Sequence, residues 1–360
     1  MNSLELYQWN AVIDKQFGKL GRWQKQTLAS LSYGILKAEN CRLGAVAKHL
    51  TGKANTSSME RRLQRWLANE RIVMKLIFKW WITWIVQLWG KAAFLILVDE
   101  TKLSDHVAVM MVGLAYQGSA IPLIWRAYQV EEYPEEGQVS LISALLQQLR
   151  EVLPADQAAL LLADRGLGTS PTWQARLSEM NWCYLLRVQR STRIRFAGDK
   201  AQPLSRLVGY GQTWTGRAQV FKKAGWQWKW VYLVWEVGYA EPCCLFSNQP
   251  DLSPDLYTRR FQHEASFRDL KSDGFQWQHS HVWIPAHVER LLLGLALATL
   301  WSLTEGTKAV FLYHLSARQK TFSVFRPGLD YLFQRFAASK KACLEFLLAP
   351  DTPYLKSVVL

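Results

Sequence analysis

Two aspartates each follow an unbroken apolar run: Asp99 after Ala93–Val98 (AFLILV) and Asp164 after Ala158–Ala163 (AALLLA). Apolar runs of this length read as buried strands. Both carboxylates then stand at strand ends, where neighbouring strands of an α/β sheet project side chains into a common crevice. Taken singly, each has a plainer reading as an Asp that caps a turn. A third carboxylate, Glu264, lies in residues 257–271 (YTRRFQHEASFRDLK), which contain no Pro or Gly and predict a helix. At ~100° and ~1.5 Å per residue, Tyr257, Arg260, Glu264 and Lys271 share an arc of ~60° along ~21 Å of one face. A surface helix can show such a stripe by chance. A carboxylate flanked by Tyr, Arg and Lys also suits a metal-bound phosphate with its neighbouring phosphates held on either side. Two strand-end acids and one helix acid make a two-metal site plausible, with Mg²⁺ ions about 3.5–4 Å apart stabilising attacking and leaving oxygens in phosphoryl transfer. Mg²⁺ is the physical choice because the donors are all hard oxygens, with Mn²⁺ expected to substitute.

The elements that must position these groups are legible in the hydrophobic pattern. Val107–Tyr116 and Ala120–Tyr128 read as strands joined by Gln117-Gly118-Ser119, a hairpin. An acidic loop (Glu131, Glu132, Glu135, Glu136) leads to a helix over Gln138–Leu153. Ser170-Pro171 opens another helix, to about Met180, and Trp182–Val188 is a fifth strand. Strand, strand, strand, helix, strand, helix, strand is an α/β order with an antiparallel start and later crossovers. Residues 189–255 break the alternation. Arg217–Lys223 and Trp226–Trp235 read as a twisted hairpin, with Trp226, Trp228, Trp230 and Tyr232 on one face. Helical structure is expected again from Asp255 and, with breaks, to about residue 349.

The chain has 360 residues and a formal net charge of +14, which points to a polyanionic partner, either nucleic acid or an anionic membrane surface. The charge is concentrated at the front: residues 1–90 carry 14 basic and 5 acidic side chains, whereas residues 91–264 are almost balanced. Within this head, Leu43–Leu50, the turn TGKANT and Ser57–Asn69 resemble a helix-turn-helix with a long turn. Ser57 and Glu60 have the spacing of a capping box. Met59, Leu63, Trp66 and Leu67 form one apolar face, and Arg61, Arg62 and Arg65 lie off it, as a DNA contact or as a merely solvated face.

The spacing Tyr-x2-Arg-x3-Glu-x6-Lys at 257–271 matches without a gap the YREK signature of a family of bacterial insertion-sequence transposases. The resemblance extends to Leu97-Val98-Asp99, to Asp164-Arg165-Gly166 and to a β-rich segment before the Glu. It covers the middle two-thirds of the chain well and the basic head more loosely. It implies a DDE enzyme that cleaves DNA at transposon ends in a metal-dependent step and transfers the freed 3′-OH into target DNA, by cut-and-paste transposition. The implied fold is α/β: a ribonuclease-H-like mixed sheet with flanking helices, a β-rich insertion and an all-α N-terminal DNA-binding region. The corresponding division is 1–90 for the DNA-binding head, 91–188 with 256–305 for the catalytic core, 189–255 for the insertion and 306–360 for a small helical C-terminal region. Asp99, Asp164 and Glu264 would coordinate the two metals, and Tyr257, Arg260 and Lys271 would hold phosphates. Hairpin-forming relatives stack a flipped base on an aromatic just after the motif Arg, where this chain has Phe261. Their second aromatic falls where this chain has Pro242-Cys243-Cys244, a departure from the pattern. Trp226, Trp228, Trp230 and Trp235 could take that part or simply pack the hairpin. The implied partner is double-stranded DNA, the terminal inverted repeats and the target, bound by a homodimer.

Other classes fit less well. Five cysteines, with no C-x-x-C pair, read as reduced thiols, and the adjacent Cys243-Cys244 as structural. His263, His279 and His281 have no zinc-ligand spacing, and His106 beside Asp99 is equally weak. The N-terminus lacks the features of a signal peptide. The longest apolar run, Leu291–Leu303, is short of the ~20 residues that span a bilayer, so no membrane role is expected. A bacterial cytoplasmic, nucleoid-associated protein is the resulting expectation. A DNA-binding derivative that no longer cuts would not need three acids in one cleft. A nuclease without strand transfer would carry the same residues as a transposase.

Overall fold

A computed structural model of the chain describes residues 4–50, 55–132, 134–135, 137–313, 323–337 and 344–351. Five helices come first: α1 (Leu4–Gln16), α2 (Arg22–Ala38), α3 (Leu43–Lys48), α4 (Thr56–Leu67) and α5 (Met74–Trp89). Trp9 at the buried face of α1 donates its indole N–H to Ser32 Oγ on α2 at 2.8 Å. The cap of α4 differs from the expected one. Asn55, not Ser57, is the capping residue, its side chain accepting from the Ser57 N–H at 3.1 Å. A short amide side chain is well suited to that role, and it starts the helix two residues earlier. Part of the turn between α3 and α4, residues 51–54, lies outside the described residues, as do Glu136 and Cys343.

The remainder is built on one ten-stranded sheet. Its first five strands are β1 (Phe94–Lys102), β2 (Val107–Tyr116), β3 (Ser119–Gln129), β4 (Ala159–Ala163) and β5 (Cys183–Arg187). They lie in the order β3-β2-β1-β4-β5, antiparallel across β3-β2-β1 and parallel across β1-β4-β5. Gln117 and Gly118, both at positive φ, make the tight turn between β2 and β3. The parallel pairs require crossovers, supplied by α6 (Gly137–Arg150) and by α7 (Arg165–Gly168) with α8 (Pro171–Glu179). This mixed, largely antiparallel sheet with flanking helices is compatible with the expected ribonuclease-H-like arrangement.

Residues 189–255 do not stand apart from the sheet. They contribute β6 (Arg193–Arg195), β7 (Gln202–Pro203), β8 (Thr213–Val220), β9 (Gln227–Val234) and β10 (Cys243–Ser247), and β10 pairs antiparallel with β5. The sheet therefore continues outward as β10-β9-β8-β6-β7. On β9, Trp230 and Tyr232 join Leu95, Leu97, Leu245 and Tyr257 on one face, whereas Val231 and Leu233 pack on the other with Ala218 and Phe246. The alternation expected for Trp230 and Tyr232 follows from this two-sided packing, whereas Trp226 precedes the strand and Trp228 is exposed.

Residues 257–271 are not one α-helix. Ser253 and Pro254 start a 3₁₀ stretch, Pro254–Arg260, followed by α9 (Phe261–Arg268) and a π-helical turn, Asp269–Asp273. In a 3₁₀ turn residues three apart eclipse, so Tyr257 and Arg260 still share one side. The apolar run at 291–303 lies within a longer helix than expected, α10 (Pro285–Tyr313). By length and composition its segment Pro285–Val310 could cross a membrane, but 89% of the apolar window is buried inside the protein. It is the central core helix, with Trp301 stacked 4.7 Å from Trp9 of α1. Among the described residues the last helix is α11 (Phe325–Ala337), which crosses α10 where Gly306 and Gly328 meet. Residues 344–351 carry no helix, short of the expected 349, and residues 314–322, 338–343 and 352–360 of the expected C-terminal helical region lie outside the described residues. A Cβ on Gly306 would lie 1.9 Å from the Val324 carbonyl oxygen, so the two backbones could not approach this closely with any other residue.

Candidate active site

Strand pairing brings the first two acids together. Val98 on β1 is in register with Ala163 on β4, so the next residues, Asp99 and Asp164, emerge side by side. Contrary to expectation, β1 does not end at Asp99. It runs on to Lys102 because β2 keeps pairing with it there, Lys102 opposite Ala108. Asp99 instead marks the point where β4 turns away and leaves one edge of β1 open. Asp164 caps α7, its Oδ1 accepting from the N–H groups of Gly166 (3.0 Å) and Leu167 (3.2 Å). The turn-capping reading of this residue therefore holds alongside any other role. Asp99 Oδ1 accepts from the Glu100 N–H at 2.9 Å.

The third acid arrives on α9 through one arginine. Arg260, only 8% exposed, donates from Nη1 to Asp99 Oδ2 at 3.1 Å and from Nη2 to Glu264 Oε1. One guanidinium thus spans two carboxylates that lie 165 positions apart in the chain but within its own width in space. Burial, reinforced by the nearby charges of Asp164 and Glu264, raises Asp99 to about 6, while Arg260 and the Glu100 N–H hold it down. Glu264 is half exposed at the mouth. Tyr257 is buried, and among the described residues its hydroxyl has no hydrogen-bond partner, nor does Arg260 Nε. Burial raises the Tyr257 phenol, with Arg260 and Arg187 opposing and Asp164 adding to the rise.

As the side chains stand, no group of three or more His, Cys, Asp and Glu residues among those described is gathered closely enough to hold a metal ion. The reason is visible: Arg260 occupies the space between Asp99 and Glu264, and Asp164 turns one oxygen into its cap. The donor chemistry, three carboxylates whose oxygens are hard ligands, fits a hard divalent cation.

The flanking residues divide. Phe261 is 51% exposed, with the Arg260 guanidinium 5.2 Å from its ring centre. Lys271 donates to the Lys102 carbonyl oxygen at 2.6 Å, fastening the π turn to the extension of β1, and burial lowers its ammonium. Cys243, where a second aromatic was sought, lines a small cleft with Tyr257, Phe261, Arg187 and Glu241. Of the tryptophans, Trp228 is 44% exposed beneath Arg217, Trp226 lies under Arg195, and Trp235 packs edge-on against Tyr210. His263, beside Glu264, is wholly buried and stacked on Phe267, and burial pushes it down to about 3. It is a neutral core ring.

In the head, Arg61 and Arg65 are exposed, but Arg62 turns inward and donates from Nε to Thr27 Oγ1 on α2 at 2.9 Å. It is a brace between helices, which its position off the apolar face did not reveal. A broad cleft between α3, α4 and residues 280–287 is lined by Arg42, Lys48, Arg65 and His287. Arg42 and Lys48 were missed by the sequence reading, as were Arg165, Arg187, Arg190 and Glu241 near Asp164. Arg165 stood in the quoted Asp164-Arg165-Gly166 segment without a role, the other arginines and Lys48 were signalled only by the basic composition, and Glu241 carried no signal.

Residues 130–301 match the family model of the transposase DDE domain. The matched segment contains Asp164, Tyr257, Arg260, Glu264 and Lys271, and Asp99 lies N-terminal to it. No curated protein matches the chain. The domain match supports a DDE transposase, a nuclease-type enzyme with a role in DNA transposition and DNA as its partner. Domains of this kind generally use divalent metals.

Proposed function

We propose that the chain is a transposase of the bacterial insertion-sequence kind with the YREK signature, cleaving DNA at transposon ends and joining the freed 3′-OH to target DNA by cut-and-paste transposition. The observation that carries this reading is the single guanidinium of Arg260 shared by Asp99 and Glu264, with Asp164 in register beside Asp99. Asp99, Asp164 and Glu264 would hold two Mg²⁺ ions, or Mn²⁺ in their place. When bound, the metal pair supplies Lewis-acid charge at the attacking and leaving oxygens.

The chain's own groups do the positioning. Arg260 offers a planar fork that can exchange a carboxylate for a phosphate without changing its geometry. The Tyr257 hydroxyl, which has no partner among the described residues, is a donor on the same side. Lys271 adds a point charge further along the strand, and the exposed ring of Phe261 offers a stacking surface for an unpaired base. Arg61 and Arg65 would contact the phosphates of the terminal inverted repeats, which position the protein without reading bases. Work at two transposon ends implies a homodimer in the DNA complex, and the expected location is the bacterial cytoplasm at the nucleoid.

The test is cleavage of a transposon end in Mg²⁺ by Asp99→Ala and Glu264→Gln. Both should lose cleavage while still binding DNA, and any residue whose variant keeps cutting leaves the site. Joining of a pre-cut 3′-OH end by the wild-type chain separates a transposase from a nuclease that only cuts.

A further inference from the structure

Arg165, next in the chain to Asp164, joins two other arginines at one carboxylate. Arg165, the first residue of α7, donates from Nη1 to Glu241 Oε1 at 3.0 Å. Arg187, the last residue of β5, reaches the same oxygen at 3.4 Å, and Arg190 reaches Oε2 at 3.6 Å. The cluster carries three positive charges against one negative. Its members are not sealed in the core: the side chains of Arg165 and Arg190 are each 56% exposed and that of Glu241 34%.

Stability does not account for this arrangement. Exposed ion pairs contribute little, and crowding two more guanidinium groups onto an already paired carboxylate adds like-charge repulsion. The cluster does resemble an anion seat: planar forks on three sides of a single pair of oxygens. It opens onto the cleft that Arg187 and Glu241 share with Tyr257 and Phe261. The Tyr257 hydroxyl, on a residue 4% exposed, reaches no partner among the described residues. Arg165 adjoins Asp164 in the chain, and the charges of Arg187 and Asp164 both act on the Tyr257 phenol, which ties the cluster to the neighbourhood of the acids.

We propose that Arg165, Arg187 and Arg190 form a binding site for a DNA phosphodiester neighbouring the one that reacts, and that Glu241 is the resident anion it displaces. The site rests on the DNA-cleaving reading above and extends it, since it uses none of the Tyr257–Lys271 stripe's charged residues. Glu241 keeps three like charges together in the free protein and must give them up when the strand enters. Its carboxylate therefore competes with DNA.

The experiment compares the full-length wild-type chain, Glu241→Gln and Arg190→Gln for binding to a fluorescent random-sequence duplex across a salt series, with thermal melting as a check on folding. Glu241→Gln should bind several-fold more tightly than wild type at equal salt. Arg190→Gln should bind more weakly, and the slope of log affinity against log salt should shrink by about 0.9, the value for one phosphate. If Glu241 merely braces the loops, its variant will bind no better or worse, and that result overturns the proposal. So does an unchanged slope in Arg190→Gln. Loss of cleavage in Asp99→Ala tests the underlying reading separately. Salt-dependent binding by wild type with no effect of either cluster variant removes only this site, whereas a chain that does not bind DNA at all removes both.

Discussion

Arg260 is asked to do two things, and both are measurable. It is buried between Asp99 and Glu264, so replacing it leaves two acids close together without their cation. Breaking a buried pair is costly, on the order of 3 kcal/mol, less here because Glu264 is half exposed. Arg260→Gln should therefore destabilise the fold as well as impair chemistry. The stability loss should be larger at pH 8 than at pH 5, because protonation of Asp99, already raised to about 6, relieves the repulsion at the lower pH. Equal losses at both pH values in chemical denaturation would mean that the pair carries no net charge conflict. Arg260→Lys keeps the charge but not the fork, and a misplacement of ~1 Å can cost ~100-fold in rate, so its single-turnover cleavage should stay far below wild type. A second acid gives a cleaner pH test. Burial raises Asp269 to about 7, against the hydrogen bond from Ser119 Oγ at 2.8 Å. A carboxyl raised on folding favours the folded state while it is protonated. That stability is complete below about pH 4 and is lost as pH rises to about 7, at a limit of roughly 1.4 kcal/mol per pH unit. Asp269→Asn, which can keep the Ser119 bond, should flatten that fall. Parallel stability curves for the two proteins would show that Asp269 titrates normally.

Helices α4 and α11 depend on contacts that point variants can isolate. Asn55→Ala should remove the α4 cap and cost about 1 kcal/mol. On the same helix, Arg61→Gln with Arg65→Gln should lower the slope of log affinity against log salt by about 0.9 for each phosphate left unneutralised. Arg62→Gln should leave the slope alone and lower the melting temperature, since that side chain is spent on Thr27. A reduced slope from Arg62→Gln would mean that the arginine swings out to DNA. On α11, Gly328→Ala should be severe for so small a change. Its Cβ would meet the Ser302 carbonyl oxygen at 1.8 Å, and backbone cannot yield as a flexible side chain can. The expected loss is at least the ~1–3 kcal/mol of an overpacked core. A wild-type melting temperature would show that α11 docks otherwise.

At the scale of the whole molecule, the basic head and the sheet share one hydrophobic core. Trp9 and Trp84 of the head lie in the same cluster as Trp301 and Phe275, and Trp81 donates its indole N–H to the Pro122 carbonyl on β3 at 2.8 Å. Removing residues 1–85 should therefore yield an aggregated or loosely packed chain, seen as lost near-ultraviolet circular dichroism, and not a catalytic unit that has merely been deprived of its DNA-binding head. A monomeric truncation with native dichroism would show that the head is separable. This sharing of the core was not legible in the sequence, because a helix's periodicity shows that it has an apolar face but not which partner covers it. What the sequence did determine was local. The apolar runs before Asp99 and Asp164, the Gln117-Gly118 turn and, on β9, the shared face of Trp230 and Tyr232 all follow from side-chain period and turn chemistry, and the structure carries each of them, whereas Trp226 falls before the strand. The spacing of Tyr257, Arg260, Glu264 and Lys271 was legible too, although the helix that carries them changes type twice. Tertiary structure alone decided which groups meet: Arg260 between Asp99 and Glu264, Arg62 turned to Thr27, and three arginines on Glu241. These meetings join residues from 4 to 161 positions apart, and the pairing of distant strands that sets most of them leaves no periodic trace in the chain.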